Sequence, residues 1–216
     1  NKPAGLAVHG GSGLSFGLIE ALRALRPDEP LELAHRLDRD TSGCLIVART
    51  RPALRELHAL LREGQVEKHY TALVAGRWQL GRKKIDAPVL TNVRQGGERM
   101  VRVHAEGKLA ISIFDPREHY RDLASLMDVE IHTGRTHQIR VHAAFAGHPV
   151  AGDEKYGLRE FNSRMREFGL RRMFLHATSI AFRWPGSKQR VAITVGLPED
   201  LAKILAGLPQ RAGAQD

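Results

Sequence analysis

The segment His35-Arg36-Leu37-Asp38-Arg39-Asp40-Thr41-Ser42-Gly43 is the densest polar stretch of the chain, and it directly precedes the apolar run Cys44-Leu45-Ile46-Val47-Ala48. Such an apolar run is typical of a short buried strand, so we expect the polar groups to lie at the end of a sheet. Loops at such positions often form functional sites. The alternative is a simple turn over residues 40–43, with Asp38 paired to a neighbouring arginine at the surface.

The composition favours a nucleic-acid partner. The chain has 216 residues, 42% of them hydrophobic, which is enough for one large domain or two small lobes. Its 33 lysines and arginines against 24 acidic residues give a net charge of +9, which favours polyanions. No stretch approaches the roughly 18 consecutive apolar residues of a membrane span, and no signal peptide is recognisable. A single cysteine, Cys44, fits a reducing, cytoplasmic location.

The pattern of apolar residues predicts an α+β fold. Helical spacing predicts helices over residues 15–25 (with Ser15 as the N-cap), 53–63, 136–147, 161–168 and 199–205. Alternation and β-branched composition predict strands over residues 45–48, 70–75, 99–104, 109–114, 124–132 and 179–183. This order is neither a repeating strand–helix alternation nor an all-strand array. We therefore predict a mixed, largely antiparallel sheet with helices.

A second polar stretch runs from Thr133 to His142 and contains two arginines and two histidines, His142 included. Its Gly134 and Thr136 resemble a turn into a helix N-terminus, whose free N–H groups suit a phosphate. The arginines would add phosphate contacts or a partner for a buried carboxylate, and the alternative is a solvated basic helix. Tyr70 begins a predicted strand and could stack on a base, although an ordinary core tyrosine is the alternative.

Two weaker patterns predict neither a cofactor nor a metal. The run Gly11–Gly17 nearly matches a dinucleotide fingerprint, but its third glycine comes one place late, which favours a mobile loop before a helix. His132, His137 and His142 are spaced by five residues, which does not align them on one helical face. Since no cysteine ligand set accompanies them, we interpret them as hydrogen-bonding or RNA-facing residues.

Three long segments together resemble the RluA/RluC-type pseudouridine synthases, most of all the bacterial RluC type. They are HRLDRDTSG (35–43), EKHYTALVAG (67–76) and TGRTHQIRVHAAFAGHPVAGDEKYG (133–157). The opening NKPAGLAVHGGSG, the segment IDAPV (85–89) and the late FLHA (174–177) are similar to that family as well. The resemblance extends from Asn1 to about Leu205. It implies the pseudouridine synthase fold, with helices flanking a central sheet and an active-site cleft across it.

The resemblance also implies roles for individual residues. The family's catalytic aspartate falls on Asp38, Tyr70 matches the tyrosine that packs against the target base, and Arg140 matches the arginine that forms a salt bridge with the aspartate. Arg36 resembles the residue that helps to extrude the target nucleotide, and Leu175 resembles an apolar residue of the pocket. The predicted RNA-binding set is His35, Arg36, Arg39, Lys68, Arg135, His137 and Leu175. Isomerisation of uridine needs no cofactor or metal, so we predict none.

The implied activity is the isomerisation of specific uridines in large-subunit (23S) ribosomal RNA, before or during subunit assembly, by a monomer without membrane contact. A tRNA-directed synthase of the same family is one alternative, and a non-catalytic RNA-binding assembly factor is another. A metal-dependent nuclease using Asp38 and Asp40 is a third. We predict a catalytic domain over residues 1–206 and a disordered tail over 207–216. Because the chain opens at Asn1, we expect it to be a piece of a longer protein and to begin after the point where an N-terminal RNA-binding domain would lie.

Overall fold

The computed structural model describes residues 1–10, 16–95 and 98–209. They form two compact units, each assembled from separate parts of the chain. The first unit comprises residues 1–68 and 177–195, and the second comprises residues 69–176 together with those from 196 onward. No helix of the described residues is both long and apolar enough to cross a membrane.

The first unit contains two helices and several short strands. They are α1 (Leu18–Leu25), β1 (Glu32–Leu33), β2 (Ser42–Gly43), β3 (Val47–Ala48), α2 (Arg51–Arg62), most of β10 (Leu175–Arg183) and β11 (Arg190–Thr194). Strand β10 pairs antiparallel with β11, and β1 pairs antiparallel with β3. Strand β2 joins β10, where the Cys44 N–H donates to the Ala177 carbonyl at 2.9 Å.

Local signals in the sequence explain both helices of this unit. The Glu20 carboxylate accepts hydrogen bonds from the N–H groups of Gly17 (2.9 Å) and Gly10 (3.2 Å), which satisfies free donors at the start of α1. The predicted N-cap Ser15 lies outside the described residues. Helix α2 begins after Thr50, whose hydroxyl accepts the Ala53 N–H at 3.3 Å. Both helix predictions are therefore confirmed, with α2 starting two residues earlier than expected.

The strand predicted over residues 45–48 is only partly present, since regular pairing is limited to β3. The reason lies at Ile46, whose N–H donates to the imidazole Nε2 of His35 at 3.0 Å instead of joining a ladder. The Ile46 carbonyl accepts the Ala34 N–H at 3.1 Å. A side chain thus takes the donor that a strand would have used, and periodicity alone cannot show this.

The second unit is built on an antiparallel sheet with the strand order β4-β9-β8-β5. Its strands are β4 (Glu67–Ala75), β5 (Lys83–Asp86), β8 (Ile111–Tyr120) and β9 (Ala124–Ile131), and a separate hairpin pairs β6 (Val89–Gln95) with β7 (Glu98–Val103). Strand β5 pairs with β8 only as far as Phe114. Two residues later comes Pro116, which cannot donate to a ladder, and the β8–β9 register shifts beside it.

Three helices complete this unit, namely α3 (Gln138–Phe145), α4 (Arg159–Glu167) and α5 (Glu199–Gly207). A core of buried apolar residues joins strand β4, the segment before β10, and helices α4 and α5; it includes Leu73, Phe174, Met165 and Leu201. Helix α5 continues through Gly207, and Leu208 is buried in the same core. The predicted disordered tail therefore overlaps packed residues at its start, and residues 210–216 lie outside those described.

The α+β prediction is confirmed: both units combine helices with strands, and the strand pairs described above are antiparallel. The predicted strands over 70–75, 99–104, 109–114, 124–132 and 179–183 all fall on observed strands. Strands β5, β6 and β11 were not predicted. They are short or rich in charged and polar residues, so their pairing depends on neighbours from other parts of the chain.

The tight packing of β2 against β10 gives a stability prediction. Gly43 has φ +110°, and a Cβ added there would lie 2.2 Å from the Ala177 carbonyl oxygen. We expect Gly43→Ala to lower the free energy of unfolding by about 3 kcal/mol, from backbone strain and steric overlap together. Urea denaturation measures this.

Gly64→Ala is the matched control. Gly64 also has positive φ (+70°), but a Cβ there would meet nothing within 4 Å. It should cost about 1 kcal/mol, from backbone strain alone. Equal losses in the two variants would contradict the close approach at Gly43.

Candidate active site

The predicted catalytic residue Asp38 lies in a turn that follows a buried anchor. Leu37 is 4% exposed, whereas Asp38 is half-buried and its neighbours Arg36 and Arg39 are exposed. The Thr41 N–H donates to the Asp38 carbonyl at 3.2 Å and closes the turn. The segment therefore forms a turn, which was one of the two interpretations of the sequence, and Asp38 is half-buried within it.

A buried lysine holds this turn against the start of the chain. Lys2 is 2% exposed, and its Nζ donates to the carbonyls of Pro3 (2.9 Å), Leu6 (2.8 Å) and Arg39 (2.9 Å). The carbonyl of Arg39 belongs to the residue directly after Asp38. Because buried cations need several polar contacts, this arrangement restrains both segments at once.

Backbone pairing reinforces the same contact. The Lys2 N–H donates to the Gly43 carbonyl (2.8 Å), and the Gly43 N–H donates back to the Lys2 carbonyl (2.9 Å). The Gly5 N–H donates to the Arg39 carbonyl (2.9 Å), while the Arg39 Nε donates to the Gly5 carbonyl (3.1 Å). Sequence reasoning missed Lys2, because nothing in a local pattern distinguishes a buried lysine from an exposed one. The Asp38 turn is thus rigidly supported from the N-terminal side.

His35 supports the other side of the turn as a neutral imidazole. Its Nε2 accepts the Ile46 N–H at 3.0 Å, which requires that nitrogen to be unprotonated. Burial, with a further contribution from the charge of Lys68, lowers the pKa of His35 to about 4. Lys68 is itself buried, at 8% exposure, and burial lowers the pKa of its ammonium. RNA contacts by these two residues stay a prediction.

The lowered pKa of His35 predicts how stability depends on pH. Between pH 6.5 and about 4 the unfolded chain binds a proton at His35 and the folded chain does not, so the free energy of unfolding falls as the pH falls. We expect a loss of about 3 kcal/mol from this residue across that window. Chemical denaturation at a series of pH values measures it. His35→Gln, which can still accept the Ile46 N–H, should show a clearly shallower dependence; an unchanged slope would contradict the assignment.

In the second unit, Arg140 forms a buried ion pair that sequence reasoning did not predict. Its Nε donates to Asp153 Oδ2 at 2.7 Å and its Nη2 donates to Oδ1 at 2.9 Å, so the contact is bidentate. The side chain of Asp153 has no exposed surface and that of Arg140 is 12% exposed. The guanidinium also lies 5.0 Å from the ring centre of Tyr156. Arg140 is therefore held by a carboxylate thirteen residues further along the chain.

The backbone supplies further partners for that carboxylate. Asp153 Oδ1 accepts the N–H groups of Lys155 (2.9 Å) and Tyr156 (3.1 Å). Burial alone would raise the pKa of Asp153, but the Arg140 guanidinium and these backbone donors outweigh burial, so the pKa lies below its usual value. Asp153 thus stays ionised and can hold Arg140 in one orientation. A signal existed in the sequence, since Asp153 lies within the third family-like segment.

His137 marks the start of helix α3 with an unusual backbone. Its φ is +54°, a left-handed conformation that non-glycine residues seldom adopt. The Val101 N–H donates to the Tyr156 hydroxyl at 3.1 Å, and that hydroxyl lies 2.7 Å from His137 Nδ1. Tyr156 thus contacts two predicted site residues, Arg140 and His137, and brings them together.

A buried hydrogen-bond chain fixes helix α3 from within. The Gln138 side chain accepts from the Thr133 hydroxyl (2.7 Å) and the Arg135 N–H (3.0 Å), and donates to the Ser112 hydroxyl (2.9 Å). Ser112 in turn lies 3.0 Å from Nδ1 of His142, whose Nε2 contacts the Ala87 carbonyl at 2.9 Å. His142 is fully buried, and burial lowers its pKa, which agrees with a neutral ring.

These contacts correct the predicted helix over residues 136–147. Helix α3 is shorter, Gln138–Phe145, because the positive φ of His137 excludes it from the helix and the Gln138 side chain takes the Arg135 N–H. The Arg135 Nε donates to the Leu109 carbonyl at 3.0 Å, while the residue itself is exposed. The hydrogen-bonding interpretation of His137 and His142 is confirmed. Phosphate binding at this turn stays a prediction.

The other predicted site residues lie on strands. Tyr70 is 7% exposed and stands opposite Val129 in the β4–β9 pair. Leu175 is 3% exposed and opens β10. Asp38 belongs to the first unit, whereas Tyr70, Arg140 and Leu175 belong to the second. The salt bridge between Asp38 and Arg140 therefore stays a prediction. Among the described residues, no group of three or more His, Cys, Asp and Glu side chains is arranged to hold a metal ion.

Comparison with known proteins defines the class. The family described as RNA pseudouridylate synthase matches residues 1–145, which include the Asp38 turn, Tyr70 and Arg140. The chain belongs to this family. Among its relatives, the ribosomal large subunit pseudouridine synthase C of Pasteurella multocida is 53% identical over 212 residues, and that of Escherichia coli is 53% identical over 211.

These alignments cover 98% and 96% of this chain but 65% and 66% of the relatives, so the chain spans about two thirds of their length. Among solved structures, human RNA pseudouridylate synthase domain containing 1 is similar, with a TM-score of 0.77 and 29% identity over 98% of this chain and 83% of that one. Human RNA pseudouridylate synthase domain containing 4 has the same TM-score at 24% identity, covering 96% and 87%. The predicted pseudouridine synthase fold is confirmed.

The Arg140–Asp153 pair gives a second stability prediction. Asp153→Asn leaves a buried guanidinium without its counter-charge, so we expect the free energy of unfolding to fall by about 3 kcal/mol near neutral pH. Because the folded pKa of Asp153 is lowered, the wild-type advantage is present above the usual carboxyl pKa and is lost as the pH falls through the folded value. Urea denaturation at a series of pH values measures both effects.

Glu154→Gln is the neighbouring control. Glu154 is 75% exposed at its side chain and pairs with Arg166 at the surface, so its neutralisation should cost less than about 1 kcal/mol. If the two variants lost the same stability, the ion pair of Asp153 would not be the stabilising contact.

Proposed function

We propose that the protein isomerises specific uridines to pseudouridine in large-subunit (23S) ribosomal RNA. One observation carries the proposal: the family match includes the segment His35–Asp38, and the turn that presents Asp38 is fixed on both sides by the buried groups of Lys2 and His35. Relatives named for the large ribosomal subunit support the choice of RNA. A net charge of +9 suits a polyanionic substrate.

The reaction rearranges one nucleotide without adding or removing a group. The bond between the ribose C1′ and the uracil N1 breaks, the uracil turns while bound, and its C5 forms a new bond to C1′. The proton on C5 is released and N1 gains a proton, so atoms and charge balance. The chemistry needs a group that acts at the sugar or the base and a pocket that retains the free uracil.

Asp38 is the proposed catalytic residue. Its carboxylate either adds covalently to the sugar or base, or removes a proton from the sugar to give a glycal. In both routes the oxygen atoms must be held at a fixed position relative to C1′, since misplacement lowers the rate steeply. The closed turn and the restrained Arg39 carbonyl next to Asp38 support such positioning. Arg140 is proposed to pair with this carboxylate while Asp153 holds its other edge.

The target uridine must leave its stack before the carboxylate can reach its sugar, at a cost of a few kcal/mol. Contacts with the phosphate backbone offset that cost, and we assign them to the exposed Arg36, Arg39 and Arg135. Arg36 is proposed to fill the space that the base leaves. Tyr70 and Leu175 are proposed to hold the detached uracil, with the ring of Tyr70 against the base.

We further propose that the protein acts in the cytoplasm as a monomer, on RNA before or during subunit assembly. A uridine can be extruded only where ribosomal proteins and packed RNA leave room for the enzyme. The charge of the chain and the family match support an RNA partner; the timing follows from this steric argument.

Asp38→Asn tests the catalytic assignment. The variant keeps the shape of the side chain but cannot act as a nucleophile or base, so isomerisation should fall by at least about 1,000-fold. Tritium release from large-subunit rRNA transcripts labelled at uridine C5 measures the reaction, and filter binding should show RNA affinity close to wild type. Asp40→Asn is the matched control, because Asp40 is an exposed carboxylate in the same turn and should retain activity.

The outcomes separate the alternatives. Near-normal tritium release by Asp38→Asn would overturn the assignment, and absence of turnover by wild type would favour a non-catalytic RNA-binding role. Tritium release from tRNA transcripts but not from rRNA transcripts would identify tRNA as the substrate. Cleavage of the RNA by wild type that is abolished by EDTA, and also by Asp40→Asn, would identify a nuclease instead.

A further inference from the structure

Helix α2 carries a row of basic side chains on one solvent-facing side. Arg51, Arg55, His58 and Arg62 follow each other at intervals of four, three and four residues and are all exposed. At 100° and 1.5 Å per residue, they fall within about 60° of arc along about 16 Å of helix. We call this row the α2 basic row.

The buried side of the same helix lies opposite the row. Leu57 and Leu60 are 3% and 4% exposed, and they lie about 130° and about 170° around the helix from the centre of the row. The helix is therefore docked by its apolar side, and the α2 basic row is directed to solvent. The two acidic residues nearby, Glu56 within the helix and Glu63 at its C-cap, lie more than about 100° around the helix from the centre of the row.

The row is not neutralised by its surroundings. Within the described residues, no member of the α2 basic row forms an ion pair or hydrogen bond through its side chain. Exposed arginines elsewhere in the same unit do: Arg26 and Arg49 both pair with Glu29, and Arg190 pairs with Glu67. The absence of counter-charges is thus a property of this helix face and not of the whole unit.

The arrangement also opposes helix stability. Arg51 and Arg55 are four residues apart, a spacing at which like charges repel. His58 and Arg62 have the same spacing and would repel when the histidine is protonated. Arg51 stands in the first turn, where the helix dipole disfavours a cation, and that turn contains no acidic residue. The dipole favours Arg62 in the last turn, but the cation at the start of the helix and the like-charge spacing depart from local rules, and such departures are expected at functional sites.

We infer that the α2 basic row is a binding surface for the phosphate backbone of RNA, outside the residues assigned to catalysis. The inference rests on the proposed function for its choice of polyanion. A straight line of cations along one helix matches a line of phosphates, and arginine suits phosphate because its guanidinium donates in a bidentate manner. Such contacts position the RNA without reading its sequence. The row would therefore raise affinity for structured RNA in general.

The test replaces Arg51→Gln, Arg55→Gln and Arg62→Gln together in the full-length protein. Filter binding of a large-subunit rRNA transcript over a series of KCl concentrations should show affinity about 10-fold weaker or more, and a log–log salt slope lower by about 2. Tritium release should show a raised KM with kcat nearly unchanged. Glutamine is as good a helix former as arginine and removes like-charge repulsion, so unfolding by urea should show no loss of stability.

Two matched variants make the result specific. The triple variant Arg26→Gln, Arg49→Gln, Arg190→Gln removes the same charge from exposed, acid-paired positions and should change the salt slope much less. Arg51→Lys, Arg55→Lys, Arg62→Lys keeps the charge and should keep most of the slope. Equal losses of affinity in the two glutamine triples would overturn the inference. An unchanged salt slope in the α2 triple would also overturn it and would favour an acidic protein as the partner of the row.

The binding measurement separates this inference from the proposed function. If wild type binds the transcript but releases no tritium, isomerisation fails while the binding surface is still tested by the slope. If wild type is active and the α2 triple binds and turns over like wild type, only the inference fails.

Discussion

The buried pairing of Arg140 with Asp153 is the contact on which the second unit's polar interior depends. A guanidinium can leave water only when hydrogen-bonded carboxylate oxygens replace the water it gives up. Here both oxygens of Asp153 are used, and the backbone N–H groups of Lys155 and Tyr156 complete the set. The Tyr156 hydroxyl then reaches His137 at the start of helix α3. The orientation of Arg140 is therefore set by a loop that follows its helix, and not by the helix itself.

In the first unit, backbone carbonyls rather than a carboxylate stabilise a buried cation. Lys2 carries a buried positive charge, and its ammonium donates to the carbonyls of Pro3, Leu6 and Arg39. This ties the start of the chain to the residue beside Asp38. Lysine suits such a site because its three donors can diverge, whereas the flat guanidinium of arginine suits a carboxylate such as Asp153.

His35 and His142 are neutral for a shared electrostatic reason. His35 accepts a backbone N–H, and His142 links Ser112 to the Ala87 carbonyl. Burial lowers the pKa of both, and Lys68 lowers that of His35 further. In a chain with a net charge of +9, an additional buried cation would be costly, so these rings serve as neutral hydrogen-bonding groups.

The sequence by itself determined what depends on short-range pattern. The amphipathic spacing of α2, the apolar alternation of β9 and the polar turn at Asp38 follow from local chemistry, and the long family-like segments led to the class of protein. Only the tertiary structure decided which residues share a buried contact. Arg140 with Asp153 and Lys2 with Arg39 are separated by 13 and 37 positions, and α3 begins late because His137 has a positive φ and the Gln138 side chain takes the Arg135 N–H. Desolvation and long-range hydrogen bonds select such partners, and neither produces a periodic pattern of residues in the sequence.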